Sequence, residues 1–357
     1  MNHFARIQQA LPGAELDAVL LTCRANRFYA TGFDASDTDG ACLITPDAVR
    51  YWTDGRYIEA ARANIAGADI GLCDQQHPYR DLFAEAVKAH GLKRLGFDDA
   101  YMTVADYRRY SEALPCEMVP ASDLLTGLRA VKDQEELARM REAQRIAERV
   151  LNEILNEVRP GVTERFLAAR LVFLLRSGGA EDVSFDPIVL SGARTSMPHG
   201  VPSDQALEAG DFVTMDFGCK YQGYCSVMTR TVALGHATEE MAAVYQTVLA
   251  AQSAGIAAAK AGVTGKAVDG AARAVIDKAG YGAYFTHSFG HGLGVEIHEP
   301  PNAAQSNDKP FPAGAVISAE PGIYMAGRFG VRIEDVVVLG EGGCEDITHA
   351  PKDLLIL

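Results

Sequence analysis

Two rules govern where apolar residues fall along this chain. In the first third, short apolar runs alternate with helical stretches. DAVLLT (17–22) and RLGFDD (94–99) read as strands, and ACLITPDAVRYWTDGRY (41–57) reads as two strands around Pro46-Asp47. YRDLFAEAVKAHG (79–91) carries a helical apolar stripe ended by a glycine. Beyond residue 126 the rule changes. Asp133 and Glu136 form a capping-box pattern ahead of an apolar face built from Leu137, Met140, Val150, Leu151, Ile154, Leu155 and Val158, with Pro160-Gly161 as the stop. A second helix follows Thr163 and ends at Gly178-Gly179, and two more span roughly 238–260 and 265–279. Hairpin patterns occupy 211–234 and 314–340.

The chain from 127 onward therefore repeats helix–helix–hairpin, in layout and not in residue identity. Such a repeat predicts two similar halves facing a shared cleft. The expected organisation is two domains, an α/β domain over 1–126 and a pseudo-symmetric α+β domain over 127–357.

Composition narrows the picture. The 357 residues are enough for two cores, and 48% hydrophobic with 22% charged residues fits a globular protein. A formal charge of −14 argues against nucleic acid as a partner, because non-specific binding needs a basic surface. Seven scattered cysteines, without a C-x-x-C pair, predict free thiols in a reducing compartment. The N-terminus lacks an apolar signal region and no apolar run reaches membrane-spanning length, so a cytoplasmic protein with no membrane partner is expected.

Candidate chemistry gathers in the hairpins. Asp216 sits in the apolar setting FVTMDFG, where a lone carboxylate is costly unless a positive group meets it. A turn centred at Tyr221-Gln222 would place Asp216 opposite Val227 and Thr214 opposite Thr229. In the second hairpin Glu320 and Glu334 lie equidistant from Gly327, both inside apolar strands. SMPHG presents His199 from a loop, and THSFGHGLGVEIHEPP carries His287, His291 and His298 among glycines. Carboxylates with one or two imidazoles suit a divalent first-row metal such as Mn, Fe, Co or Zn. Taken singly, Asp216 reads first as a satisfied structural acid and each histidine first as an ordinary loop residue, so spacing alone leaves the metal site open. Trp52, the only tryptophan, reads as core.

Five ordered motifs, SFDPIVLSGARTSMPHG, GDFVTMDFG…YCS, HSFGHGLGVEIHEPP, ISAEPGIY and GVRIED, resemble those of the aminopeptidase P/prolidase family, the creatinase-like "pita-bread" metallopeptidases. LRAVKDQEEL is similar to the start of that family's catalytic domain, and residues 1–126 look like its creatinase-type N-terminal domain. The resemblance implies two metals held by Asp, Asp, His, Glu and Glu. Carried over, these are Asp216, His291, Glu320 and Glu334, while the second Asp falls on Val227. It implies that His199 and His298 hold substrate and transition state, with Glu320 as general base or proton shuttle. His287 and Arg332 join as candidate substrate contacts, and Arg328 is a further arginine near Glu334.

The implied activity is metal-dependent hydrolysis of Xaa-Pro peptides, as an aminopeptidase or dipeptidase, by a homodimer. Val227 changes this expectation. In the family the missing Asp touches both metals; without it three carboxylates face two divalent ions. One site or fewer should then be well occupied, the ion near Asp216 being the one lost, and turnover should be impaired. The alternatives are a metal-poor C–N hydrolase or lyase acting on a small molecule, and an inactive peptide-binding relative.

Overall fold

The computed structural model describes residues 2–35 and 39–357. It divides into two compact units, Met1–Arg129 and Ala130–Leu357. Position 126, where the change of pattern was read, lies inside the helix Ser122–Ala130.

The first unit is built on a mixed six-stranded sheet. Its order is Asp69–Leu72, Val49–Thr53, Ala41–Ile44, Ala18–Leu21, Arg94–Phe97, Glu117–Pro120. The central strand Ala18–Leu21 runs antiparallel to Ala41–Ile44 and parallel to Arg94–Phe97. It is buried along its whole length, as expected of a strand covered on both faces. The Pro46-Asp47 turn closes a hairpin in which Ile44 pairs with Val49. Trp52 is fully buried and meets Phe83 edge-on at 5.5 Å between ring centres, which makes it a core residue.

The second unit shows the repeat. Asp133 caps the helix Gln134–Ile154 with a complete capping box, its carboxylate accepting from Glu136 N–H and Glu136 reaching back to Asp133 N–H. This helix stops at Ile154 and tightens into a 3₁₀ turn over Leu155–Glu157, short of the expected Pro160-Gly161 break. Threonines cap the next three helices in the same way: Thr163 for Glu164–Ser177, Thr238 for Glu239–Ala258 and Thr264 for Gly265–Lys278.

Each helix pair packs on its own sheet. Leu167, Leu171 and Ile146 close over the strands Phe212–Phe217 and Met228–Ala233; Val244, Val248 and Ala272 close over Val316–Ala319 and Asp335–Leu339. The two sheets meet at the bridge from Thr229 to Glu334, and Thr231 Oγ1 joins the Arg332 backbone beside it. Arg230 crosses there to Asp335 at 2.8 Å, and Arg332 crosses the opposite way to Asp216 at 2.5 Å. All four side chains are buried. The seam between the halves is therefore ionic at its centre and apolar on either side.

Candidate metal centre

The two hairpins obey different registers. In the second, Gly322 pairs with Arg332 and Ala319 with Asp335, so the pairing is centred on Gly327 and Glu320 falls opposite Glu334 as read from the sequence. In the first, Asp216 pairs with Thr229 and Thr214 with Thr231. The expected facing pairs, Asp216 with Val227 and Thr214 with Thr229, are thus corrected by two positions. The cause is the turn. Gln222 and Gly223 both take positive φ, 46° and 80°, the two-residue geometry that matches strand twist, so the hairpin reverses one residue later than Tyr221-Gln222. Val227 is buried and stands across from Gly218, where a Cβ would lie 1.9 Å from the Ser226 carbonyl oxygen. Only glycine admits that approach.

Three of the expected ligands come together. Donor atoms of His291, Glu320 and Glu334 all lie within 4.8 Å of one another. His291 sits on the short strand Gly290–Gly292, whose flanking glycines let it pack closely: a Cβ on Gly290 would be 2.0 Å from the Ser318 carbonyl oxygen, and one on Gly292 2.1 Å from that of Glu299. His291 Nδ1 lies 3.0 Å from the Gly292 carbonyl oxygen, which can only accept. Nδ1 therefore carries the proton, and Nε2, 3.5 Å from Glu320 Oε1, presents its lone pair to the site. Burial holds this imidazole below the ordinary histidine range, so it stays neutral. Ser318 Oγ ties the two ligands together, accepting from His291 N–H and donating to Glu320 Oε1 at 3.2 Å.

Glu334 accepts from Thr229 Oγ1 at 2.7 Å. Burial, then the charges of Glu320 and Asp216, drive its pKa well above the usual carboxylate range. Glu320 is raised as well, by burial first, with His287 and Arg332 pulling the other way. Without a cation both acids are biased toward their protonated forms; a bound divalent ion would favour proton release.

Asp216 falls outside this triad, and the positive group that meets it is Arg332. One guanidinium Nη2 donates to Asp216 Oδ2 at 2.5 Å; Nε donates to Thr229 Oγ1, and Nη1 donates to the Pro198 carbonyl and to Tyr324 Oη. The guanidinium is 3% exposed. Burial works against its charge, but Tyr324, Asp216, Glu320 and Glu334 keep its pKa well above the ordinary value. Asp216 Oδ1 is buried and has no hydrogen-bond partner. An orphaned carboxylate oxygen beside one imidazole and two mutually repelling acids is a donor set that fits a divalent first-row metal.

The remaining histidines divide into inner and outer. His287 Nδ1 donates to the Ser288 carbonyl at 2.8 Å, so Nε2 accepts from Tyr324 O–H, also at 2.8 Å. Arg332, Tyr324 and His287 thus form one directed chain. His298 is exposed, its ring centre 4.2 Å from that of His291. Burial, then His291 and His199, lower its pKa. Glu299 beside it is spent on a buried ion pair with Lys132 at 2.7 Å. His199 is exposed on a loop stapled from beneath. Glu164 accepts from Ser203 Oγ and Arg194 Nε, and Arg194 also reaches the Val201 carbonyl. Arg328 is paired with Glu240 at the surface.

Sequence alone set Thr229 opposite Thr214 and gave no role to Ser318 or Tyr324. A signal for Thr229 was present. Side chains two apart share a strand face, so the alternation TRT puts Thr229 and Thr231 on one face, and the true turn would have set Thr229 against Asp216. The arginine of GVRIED lies two residues before Glu334 in the same way.

The comparisons agree with this architecture. Residues 138–341 match the model of metallopeptidase family M24, and residues 4–131 match the creatinase/prolidase N-terminal domain. The chain belongs to metallopeptidase family M24. It is 43% identical over 343 residues to an uncharacterized peptidase, YqhT, of Bacillus subtilis, covering 96% of each chain. Among solved structures it is similar to an Xaa-Pro dipeptidase from Bacillus anthracis, with TM-score 0.94, 40% identity and 99% of each chain covered. It is also similar to an X-Pro aminopeptidase from Thermotoga maritima, with TM-score 0.93, 36% identity and 100% of each chain covered. The two-domain, creatinase-like and pita-bread fold is thereby the fold of this chain. No described helix is long and apolar enough to cross a membrane.

Proposed function

We propose that this chain hydrolyses the bond between an N-terminal residue and a following proline, using a divalent metal held by His291, Glu320 and Glu334, with Asp216 Oδ1 alongside. The observation that carries the reading is the convergence of those three donors within 4.8 Å in a chain of this family. When bound, such an ion polarises a carbonyl and lowers the pKa of a water.

The chain's own residues account for the rest. In this reading Glu320 takes and returns the proton at Oε1. In this reading His298 and His199, both exposed, hold the scissile carbonyl and the charge that develops on it. The tertiary amide of proline offers no N–H, so a site for it needs apolar contact in place of a backbone acceptor. Met197 and Val201, both exposed and flanking His199, supply apolar surface at that edge.

Val227 lowers the expected rate. The reading takes one ion or fewer to be well bound, and turnover below that of a complete five-ligand centre by about 10²–10⁴. It also takes a homodimer in solution, a peptide with proline second as partner, and a cytoplasmic location. The seven free cysteines suit such a reducing compartment.

The test is proline release from Xaa-Pro dipeptides and Xaa-Pro-Yaa tripeptides with Mn²⁺ or Co²⁺. Release that a chelator abolishes is expected. Val227 also favours a second reading, a peptide-binding relative. Affinity for Xaa-Pro peptides with no product over hours would select that reading and sink the first.

A further inference from the structure

Arg332 does more than neutralise Asp216. Its Nε lies 3.2 Å from Thr229 Oγ1, and that hydroxyl donates to Glu334 Oε2 at 2.7 Å. One guanidinium therefore links an acid of the first hairpin to an acid of the second, through a single threonine. Its direct ion pair is with Asp216, while the donors of His291, Glu320 and Glu334 form a cluster of their own.

The charges can be counted. Asp216, Glu320 and Glu334 bring three negative charges when ionised, Arg332 brings one positive, and His291 is neutral. The neighbouring cluster of Arg230 and Lys352 with Asp335 and Asp346 cancels itself. Two negative charges remain, and one divalent ion balances them. A second ion would leave two positive charges in a buried site, or one if a hydroxide came with it. Uncompensated buried charge of that size is strongly unfavourable. Val227 brings no oxygen to reverse the balance, and its apolar side chain is packed with 2% exposure.

We infer that Arg332 is the fixed second cation of this centre, and that the site is matched to one divalent ion, bound at the His291–Glu320–Glu334 end. This deepens the metallopeptidase reading and rests on it for the presence of any metal. It differs from simple weakening of a two-metal site. Here the first hairpin has its own permanent positive charge, and excess metal does not add a second ion.

The experiment uses Mn²⁺ and the full-length protein. Metal per chain is measured by elemental analysis after equilibrium dialysis, and the Mn²⁺ spectrum by electron paramagnetic resonance. The wild type is expected to hold one ion with the six-line signal of isolated Mn²⁺. Val227→Asp should raise the count to two and give an exchange-coupled signal, because the added carboxylate supplies both charge and a bridging oxygen. Val227→Asn, polar but neutral, should stay at one. Arg332→Lys keeps the positive charge and should also stay at one. Arg332→Met, checked for folding by circular dichroism, should exceed one at saturation.

Two coupled ions in the wild type overturn the inference, as does a wild type that retains none. A folded Arg332→Met that still holds one ion removes the role given to Arg332. If that variant does not fold, the contrast between Val227→Asp and Val227→Asn decides. Proline release is scored separately, so an inactive protein with one bound ion fails the peptidase reading and leaves this inference standing.

Discussion

The two hairpins of the catalytic domain have the same layout and opposite solutions to the problem of buried acid. The second sets Glu320 against Glu334 across a loop centred on Gly327. Nothing in that hairpin neutralises the two acids by a direct ion pair, and the pKa of each is pushed up. The first hairpin sets Asp216 against Thr229 and fills position 227 with valine. Its acid is met by an arginine that arrives from the other half. One half is thus built to receive a cation and the other already has one. Pseudo-symmetry in the backbone does not enforce symmetry of charge.

The sharpest way to break the comparison is to remove an acid from the receiving half. Glu334→Gln keeps volume and the Thr229 contact but removes a ligand charge. Metal retention after dialysis should be lost, and metal-dependent proline release should fall by about 10²–10⁴. Asp216→Asn in the other hairpin should leave the bound metal largely in place, measured by the same elemental analysis. Equal metal loss in both variants would mean that the halves share the ion evenly and the contrast is wrong.

Next in size is the arginine itself. Arg332→Met leaves Asp216 buried without a positive partner, and breaking a buried pair from one side costs about 3–5 kcal/mol. Urea unfolding of the apo chain should show that loss. The double variant Asp216→Asn with Arg332→Met should recover part of it, since the stranded charge is gone. Added Mn²⁺ should stabilise Arg332→Met more than the wild type. A loss within about 0.5 kcal/mol, the scale of an unremarkable surface change, would show that Asp216 needs no partner.

Much of this was legible in the residues. Helix starts were visible at Asp133 and Thr163 because each precedes an apolar period, and cap chemistry is local. The second hairpin's register was legible because its loop is symmetric about Gly327. The first was misplaced because Gln222 gave no sign that it would adopt positive φ; a two-residue turn at Gln222-Gly223 competes with one at Tyr221-Gln222, and a shift of one turn position moves every partner by two. The proposed ligands were picked out through motif likeness. Their second partners, Thr229, Ser318 and Tyr324, were not, because a hydroxyl in a strand has no spacing of its own and takes its meaning from which strand lies opposite. What met Asp216 was hidden for the same reason: Arg332 is 116 residues away in sequence.

A smaller effect probes the bend that lets the first hairpin differ. Gly218 stands across from Val227 with its would-be Cβ 1.9 Å from a backbone oxygen. Gly218→Ala must push the strands apart, at about 1–3 kcal/mol by urea unfolding. Gly327→Ala in the second hairpin has open space around it, and its φ of +73° leaves only the left-handed backbone strain, about 1 kcal/mol. If the two variants cost the same, the close approach at Gly218 is not what shapes the first hairpin.

The smallest effect is a pH dependence, and its sign separates a receiving site from a self-neutralised one. In the apo fold Glu320 and Glu334 are raised above the ordinary value of 4.5. The folded state therefore binds more protons than the unfolded chain above that pH. Their contribution to stability is full below about 4.5 and is lost as pH climbs through the raised folded values. Apo stability should thus be eroded from this source between mildly acid and neutral pH. A divalent ion replaces the protons, so the stabilisation by metal should grow over the same interval. Thermal unfolding from about pH 5 to 8, with and without Mn²⁺, reads the difference, at about 2–4 °C per kcal/mol for a domain of this size. Comparing the two curves cancels titrations elsewhere in the chain. The Glu334→Gln variant should flatten the difference, and Val227→Asp, by adding one more acid to the cluster, should steepen it. A metal-induced gain that shrinks as pH rises would place the raised carboxylates outside the cation's reach and reverse the assignment of the second hairpin as the receiving half.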